Sequence, residues 1–196
     1  MAESHFYIVS IAQLPVAALA QEKRSRPPFH RSRVDAQAAP NGKSPAAAPL
    51  LRSAWLFQSN PALYDLRNAL RFLGEQVWSV SRYAKEIKPG DRVYLWEAGR
   101  EGGIAGVAEV GDLARIRPEP TEQLPFARVA GVFAGERLRA RLKILRVIEP
   151  PIPRQSIVTS PELSSLDVLR CARGTNFRLS LDQWLALNRL VTDMAA

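Results

Sequence analysis

Residues 54–65 read AWLFQSNPALYD, an apolar and aromatic run that stops abruptly at a Ser-Asn-Pro triplet. The run has the composition of a β-strand, and the polar triplet bounds it. Asn60 is a favourable helix N-cap, and Pro61 suits the first helical position because its missing N–H is not needed there. Leucines then recur at helical spacing up to Leu73, and Gly74 ends the pattern. The stretch therefore predicts a strand that passes into a helix through a corner of polar side chains.

Further segments downstream have the patterns of strands. Residues 91–99 alternate aliphatic with aromatic side chains, and residues 104–113 follow after a glycine-rich turn, so the pair predicts a hairpin. Residues 136–153 alternate apolar with basic side chains at first, which favours a strand, although the leucine spacing would also suit a helix. Residues 77–80 predict a short, irregular, extended link.

Helical patterns are interleaved with these strands. We expect one or two helical turns over residues 81–87, a helix over residues 160–170 and a last helix over residues 181–191. Ser180 and Gln183 have the spacing of a capping box that opens the last helix. Mixed elements with hairpin-linked strands predict an α+β fold around a small barrel-like sheet.

The composition changes near residue 52. Residues 1–52 are rich in Pro, Ala, Arg and Ser and contain few large apolar side chains, so we expect a mobile N-terminal extension. Residues 53–192 are expected to form the folded domain. The chain carries 27 basic and 19 acidic residues, a net charge of +8, which suits a polyanionic partner but also ordinary solubility. No apolar run approaches the roughly 20 residues that span a bilayer, so no membrane partner is expected.

Cysteine and histidine usage limits the chemistry. Cys171 is alone, so no internal disulfide is possible and a reducing cytoplasm fits. The two histidines, His5 and His30, both precede the expected domain. A zinc site needs several Cys or His ligands, and a nucleophilic triad needs a base that titrates near neutrality. We therefore expect no metal, no cofactor and no enzyme activity.

Four stretches in order carry a resemblance to a known family. They are WLFQSNP at 55–61, VWSVSRYAKEIKPGDRVYLWEAG at 77–99, GGIAGVAEV at 102–110 and GTNFRLS at 174–180. Together they resemble the EVE domain, a member of the PUA-like superfamily that is related to the YTH readers of methylated adenine. The resemblance implies a small β-barrel flanked by helices, with a pocket that captures a modified base. Bacterial members look like readers of modified cytosine in DNA, often as parts of restriction systems, so a restriction role of this chain would need a separate restriction or effector protein as its partner.

A reader of a single base must flip the base out of its stack and replace the lost stacking with aromatic rings. Trp78 matches the tryptophan of the family motif and is the first candidate, whereas Trp96 and Trp55 lie on strands and suit either the pocket or the core. Polar groups must then pair with the edge of the base. The polar candidates are Gln58, Ser59, Asn60 and Ser79. Asn176 either reads a base or shapes a turn, and Trp184 is expected in the core.

Basic side chains suggest a path for a phosphate backbone. The alternation after residue 136 places several of them on one strand face, and others follow Trp78. They are Arg82, Lys85, Lys88, Arg137, Arg139, Arg141 and Lys143. The alternative is a solvated sheet face whose charges are screened.

The favoured function is thus a non-catalytic reader of a modified base, with modified cytosine in DNA as the first expectation. A reader of modified RNA would use the same aromatic rings. Asp65, Glu86 and Lys88 loosely match the D…ExK spacing of a metal-dependent nuclease, although Asp65 falls in an expected helix. A structural adaptor with an empty pocket is the remaining alternative.

Overall fold

The computed structural model describes residues 52–118, 120–171 and 173–193. The expected mobile extension lies outside these residues, apart from Arg52. The described part contains strands and helices in mixed order, which confirms the α+β class. The strands are β1 Ala54–Ser59, β2 Glu75–Ser79, β3 Arg92–Glu97, β4 Gly103–Val110, β5 Arg115–Arg117, β6 Arg137–Pro153 and β7 Asn176–Arg178. The helices are α1 Leu66–Phe72, α2 Arg154–Thr159 and α3 Leu181–Asp193, with 3-10 turns at Thr121–Phe126 and Asp167–Leu169.

All strands belong to one mixed sheet with the order β2-β6-β4-β3-β1-β7, and β5 pairs with β6. β1 runs parallel to β3, whereas the other pairs are antiparallel. The long strand β6 pairs with β2, β4 and β5, so it forms the spine of the sheet. The sheet curls into a half-barrel, which confirms the predicted barrel-like architecture.

Both faces of the central strands are covered. On one face, the side chains of Trp55 and Phe57 pack with Leu70 of α1. On the other face, those of Leu56 and Trp96 lie in a second cluster with residues of α2 and α3. The alternation of β1 and β3 therefore separates two apolar layers, not an interior from a solvent face.

The corner after β1 differs from the prediction. Asn60 does not cap a helix: its side-chain oxygen accepts the N–H of Ala62 at 2.9 Å and closes a turn. The helix α1 begins only at Leu66, where Asp65 is the N-cap and accepts the N–H of Asn68 at 3.3 Å. The sequence after Asn60 thus forms a turn before it forms a helix, because asparagine side chains favour both local conformations.

The segment 81–87, expected to form one or two helical turns, forms a turn in which the N–H groups of Glu86 and Ile87 both donate to the carbonyl of Tyr83, whose φ is +58°. The predicted helix at 160–170 is wrong, since turns and a 3-10 turn occupy it. The capping box is confirmed: Ser180 N–H donates to Gln183 Oε1 at 3.0 Å, and Gln183 N–H donates to Ser180 Oγ at 3.2 Å. Within the described ranges, no helix has the length and apolar character needed to cross a bilayer.

Candidate functional site

A cleft of about 400 Å³ lies where β2 faces the end of β1 and the loop before β7. Its volume falls in the range of small-molecule pockets. The cleft exists because these strands are not paired with each other, so the half-barrel has an open seam between β2 and β7 at the ends of the strand order. The seam brings together residues from five separate parts of the chain.

The cleft contains most of the pocket residues that the sequence predicts. Gln58, Ser59 and Asn60 form the corner at the end of β1, and Trp78 and Ser79 come from β2. They meet because β1 and β2 both end at the seam. Whether these side chains contact a base stays a prediction.

Two predicted pocket tryptophans lie elsewhere, so the expectation that they form walls of the cleft is wrong. Trp55 is 0% exposed, and its indole Nε1 donates to Asp91 Oδ2 at 2.8 Å. Trp96 is 1% exposed and packs in the cluster that contains residues of α2 and α3. Both rings fill core layers on strands whose two faces are covered, and neither lines the cleft.

Among the residues that the structure describes, three aromatic side chains line the cleft. Trp78 is 8% exposed and packs against Phe57, with ring centroids 6.0 Å apart. Tyr64 and Phe133 meet edge to face, with centroids 5.8 Å apart and an interplanar angle of 88°. The rings of Tyr64 and Phe133 come from a turn and a loop, where no periodicity singles them out, so the sequence reasoning missed them.

Two buried side-chain amides bind the backbone beside the cleft. Gln123 accepts the N–H of Val77 at 2.5 Å and donates to the carbonyl of Val77 at 3.2 Å. Asn176 is 0% exposed, accepts the N–H of Ser81 at 3.0 Å and donates to the carbonyl of Ser79 at 3.3 Å. Asn176 therefore neither shapes a local turn nor lines the cleft, but connects the start of β7 to the β2 side.

The basic residues divide into two groups. Arg139 is 2% exposed, and its guanidinium donates to the carbonyls of Arg117 at 2.5 Å and Phe133 at 2.6 Å. These contacts hold the 133–135 loop, so the expected continuous stripe on β6 is interrupted at Arg139. The exposed cations are Arg82, Lys85, Lys88, Arg137, Arg141 and Lys143. Arg173, which the sequence reasoning missed, is exposed and lines the cleft.

Both carboxylates of the nuclease alternative form ion pairs with arginines. Asp65 caps α1 and pairs with Arg128 at 3.0 Å, and Glu86 pairs with Arg178 at 2.8 Å. Among the residues that the structure describes, no cluster of three or more His, Cys, Asp or Glu side chains could hold a metal ion. Asp65 and Glu86 therefore both have structural partners in the described part of the chain.

Comparison with known proteins gives a family and several structural neighbours. The profile of the EVE domain matches residues 53–190, whereas no curated protein matches the chain. A hypothetical protein from Leishmania major has a TM-score of 0.54 at 17% identity, over 74% of this chain and 98% of that one. Human THYN1, solved in complex with DNA that contains 5-methylcytosine, has a TM-score of 0.50 at 16% identity, over 70% and 96%. Protein PSPTO5229 from Pseudomonas syringae has a TM-score of 0.50 at 18% identity, over 70% and 98%.

Proposed function

The chain belongs to the EVE domain family, and on this basis we propose that it is a non-catalytic reader of a modified nucleobase, in the first instance a modified cytosine in DNA. The observation that carries the proposal is the cleft, which combines the indole of Trp78 with the polar corner Gln58, Ser59 and Asn60. The 5-methylcytosine DNA bound by human THYN1, which shares the fold, supports the same ligand class.

Capture of the base requires that it leave the duplex. Flipping costs a few kcal/mol, because stacking and pairing are lost. Stacking on an aromatic side chain returns about 1–3 kcal/mol per base. Trp78, with Tyr64 and Phe133 nearby, supplies the rings that make this exchange feasible in the cleft.

The polar corner gives the cleft its means of selecting a base. An amide side chain offers both donors and an acceptor, and a hydroxyl offers either, so Gln58, Asn60 and Ser59 can match the mixed edge of a cytosine. A site built to form such hydrogen bonds rejects a base that cannot return them, because its polar groups are then left unpaired.

Selection for the modification itself depends on a smaller effect. A methyl group that moves from water into an apolar part of the cleft contributes about 0.8 kcal/mol. This corresponds to about a fourfold preference, since 1.4 kcal/mol is a factor of ten. A much larger preference would need a polar modification that gains hydrogen bonds of its own.

Exposed cations near the seam would hold the phosphate backbone. Arg173 lies on the cleft, and Arg82 follows Ser81, whose hydroxyl contacts that of Thr175 across the seam at 2.5 Å. Such contacts add affinity that falls with salt but carry no base specificity. The separate effector protein and the cytoplasmic location expected from the sequence stay predictions.

A binding panel tests the proposal. Matched duplexes that contain cytosine, 5-methylcytosine, 5-hydroxymethylcytosine or N6-methyladenine at one position, and the corresponding RNAs, are titrated by fluorescence anisotropy. We expect tighter binding to a modified-cytosine duplex and a loss of about tenfold or more in Trp78→Ala. Trp184→Phe, a change on α3 outside the cleft, is the control, and circular dichroism checks that each variant folds.

Three outcomes would contradict the proposal in whole or in part. Equal, salt-sensitive binding to all oligonucleotides would leave only non-specific association. Preferential binding to modified RNA would replace DNA by RNA as the partner. Cleavage of any oligonucleotide in Mg²⁺ would contradict the non-catalytic part of the proposal.

A further inference from the structure

In the part of the chain that the structure describes, the free edge of β2 is bound by side chains and not by another strand. In most sheets, an edge like this either faces solvent or pairs with another strand. Here three alternate residues on this side, Val77, Ser79 and Ser81, are bound by side-chain amides from distant parts of the chain. The side-chain amides of Gln123 and Asn176 occupy the positions that the backbone of a neighbouring strand would take.

Asn176 makes the link at one end of this edge. Its Oδ1 accepts the N–H of Ser81 and its Nδ2 donates to the carbonyl of Ser79, so the side chain reproduces the two bonds of a strand partner. The adjacent hydroxyl of Thr175 contacts that of Ser81 at 2.5 Å. Because Asn176 belongs to β7 and β7 pairs with β1, the link connects β2 to the strand that carries the polar corner.

Gln123 makes the link at the other end. Its Oε1 and Nε2 bind the N–H and the carbonyl of Val77, and Nε2 also lies 3.4 Å from the hydroxyl oxygen of Tyr64. Gln123 is buried and lines the cleft. One amide thus fixes the distance between the β2 wall and the wall that contains Tyr64.

Trp78 lies between the two bound residues, Val77 and Ser79. On its other edge, β2 pairs with β6 and Trp78 is opposite Ala140. Paired strands lie about 4.8 Å apart, which leaves no room for a ligand between them. A side-chain amide between two backbones holds them further apart while still satisfying their buried N–H and C=O groups.

We propose that Gln123 and Asn176 are positioning residues that act as spacers: they prevent the seam from closing and set the width of the cleft beside Trp78. This inference rests on the proposed function, since the width matters only if a base enters. A preformed cleft does not have to become ordered when the ligand binds. Loss of this preorganisation therefore lowers the affinity for a base that fits the cleft. It should not change binding that depends on phosphate contacts alone.

Asn176→Asp tests this inference. The carboxylate still accepts from Ser81 but faces the carbonyl of Ser79, which repels it. Burial raises the pKa of a carboxyl group, so at lower pH the acid regains a proton that it can donate to Ser79. The charged side chains beside this link are Arg82, which follows Ser81, and Arg173 and Arg178, which flank Asn176, with Glu86 paired to Arg178 at 2.8 Å. The sequence has no histidine from residue 53 onward, so few other groups of the domain are expected to change protonation between pH 8 and 5.5.

The measurement is the ratio of affinities for modified and unmodified duplex at both pH values. At pH 8 we expect Asn176→Asp to lose at least half of the wild-type ratio, with affinity for the unmodified duplex unchanged within twofold. At pH 5.5 the ratio should return toward that of the wild type at the same pH. Gln123→Leu, which removes the other spacer, should lower the ratio at both pH values, and Gln155→Leu, an exposed change on α2, should not.

The outcomes separate the two proposals. If the wild type shows no preference for a modified base, the proposed function fails and the spacer role fails with it. If the wild type shows the preference and Trp78→Ala removes it, but folded Asn176→Asp and Gln123→Leu retain it, only the spacer role is overturned. If Asn176→Asp does not fold at pH 8, the affinity ratio of Gln123→Leu tests the spacer role instead. An equal loss of affinity for the modified and the unmodified duplex in Gln123→Leu also overturns the spacer role.

Discussion

The indole Nε1 of Trp55 donates a hydrogen bond of 2.8 Å to a carboxylate oxygen of Asp91. The same carboxylate accepts the backbone N–H of Ser53 at 3.0 Å and that of Lys88 at 2.9 Å. Asp91 therefore joins the start of β1 to the turn before β3. Trp55 and Asp91, which both lie in the family motifs, thus have a structural role.

Asp91→Ala should destabilise the domain without changing base preference. The substitution leaves three donors without an acceptor, one of them the buried indole N–H, and each buried unpaired group costs about 1–3 kcal/mol. We expect a loss of about 3 kcal/mol in the free energy of unfolding, measured with urea. Asp193→Ala, an exposed change in the last turn of α3, is the control. A loss below about 1 kcal/mol would show that the carboxylate is not essential.

Gln76→Leu should stabilise the domain. Gln76 is buried on β2 opposite Leu142, and neither atom of its amide has a hydrogen-bond partner among the described residues. Leucine has a similar volume and removes the unpaired groups, so we expect a gain of about 1–2 kcal/mol in the free energy of unfolding. Gln155→Leu should change stability little because residue 155 is exposed. A loss of stability in Gln76→Leu would show that the amide is satisfied in solution.

Tyr94→Phe should protect the domain from alkaline unfolding. Burial raises the pKa of the Tyr94 hydroxyl to about 12, whereas an unfolded chain ionises near 10. Below pH 10 both states keep the proton, so the group contributes no pH dependence. Between pH 10 and 12 only the unfolded state ionises, so the wild type loses up to about 1.4 kcal/mol per pH unit through this group. The difference between the urea midpoints of wild type and variant should therefore grow in favour of the variant above pH 10.

The local patterns of the sequence were sufficient for much of the fold. The β3–β4 hairpin, the long strand β6 and the capped helix α3 were all predicted, because alternation and capping chemistry are local signals. The start of α1 was not, because the side chain of Asn60 closes a turn with Ala62 and the helix is capped by Asp65 instead.

The site was harder to predict than the fold. The alternation of side chains along β3 shows that Tyr94 and Trp96 share a face of the sheet. Because both faces of β3 are covered, this alternation does not tell whether a residue belongs to the cleft or to the core. Trp78 and the polar corner were identified because the family motifs include them. Tyr64, Gln123 and Phe133 reach the cleft only through the path of the chain, which no local pattern encodes.

Arg173→Gln should weaken binding to every duplex by a similar factor. The guanidinium lies on the cleft and, if it contacts a phosphate, each such contact contributes about 0.9 to the slope of log K against log salt. We expect the slope to fall by about one while the modified-to-unmodified ratio stays constant. Arg189→Gln on α3, where the side chain pairs with Glu162, should leave the slope unchanged. A changed ratio with an unchanged slope would place Arg173 on the base instead.

Gly174→Ala should lower both the stability of the domain and its preference for a modified base. A Cβ at this position would lie 2.3 Å from Cζ and 2.6 Å from Cε1 of Phe177, which is buried in the cluster beneath α3 and cannot move without disturbing it. We therefore expect a loss of about 1–3 kcal/mol in stability from overpacking. The loop that carries Thr175 should also shift, so the preference for a modified base should fall.

Gly74→Ala is the matched control, because a Cβ there would meet no atom within 4 Å. Thermal unfolding and the duplex titration, run on both variants, separate the two effects. If Gly174→Ala lowers stability but retains the preference, the clash is absorbed inside the core and the cleft is independent of it. If both properties change together while Gly74→Ala resembles the wild type, the glycine is required because the packing of Phe177 fixes the loop at the edge of the cleft.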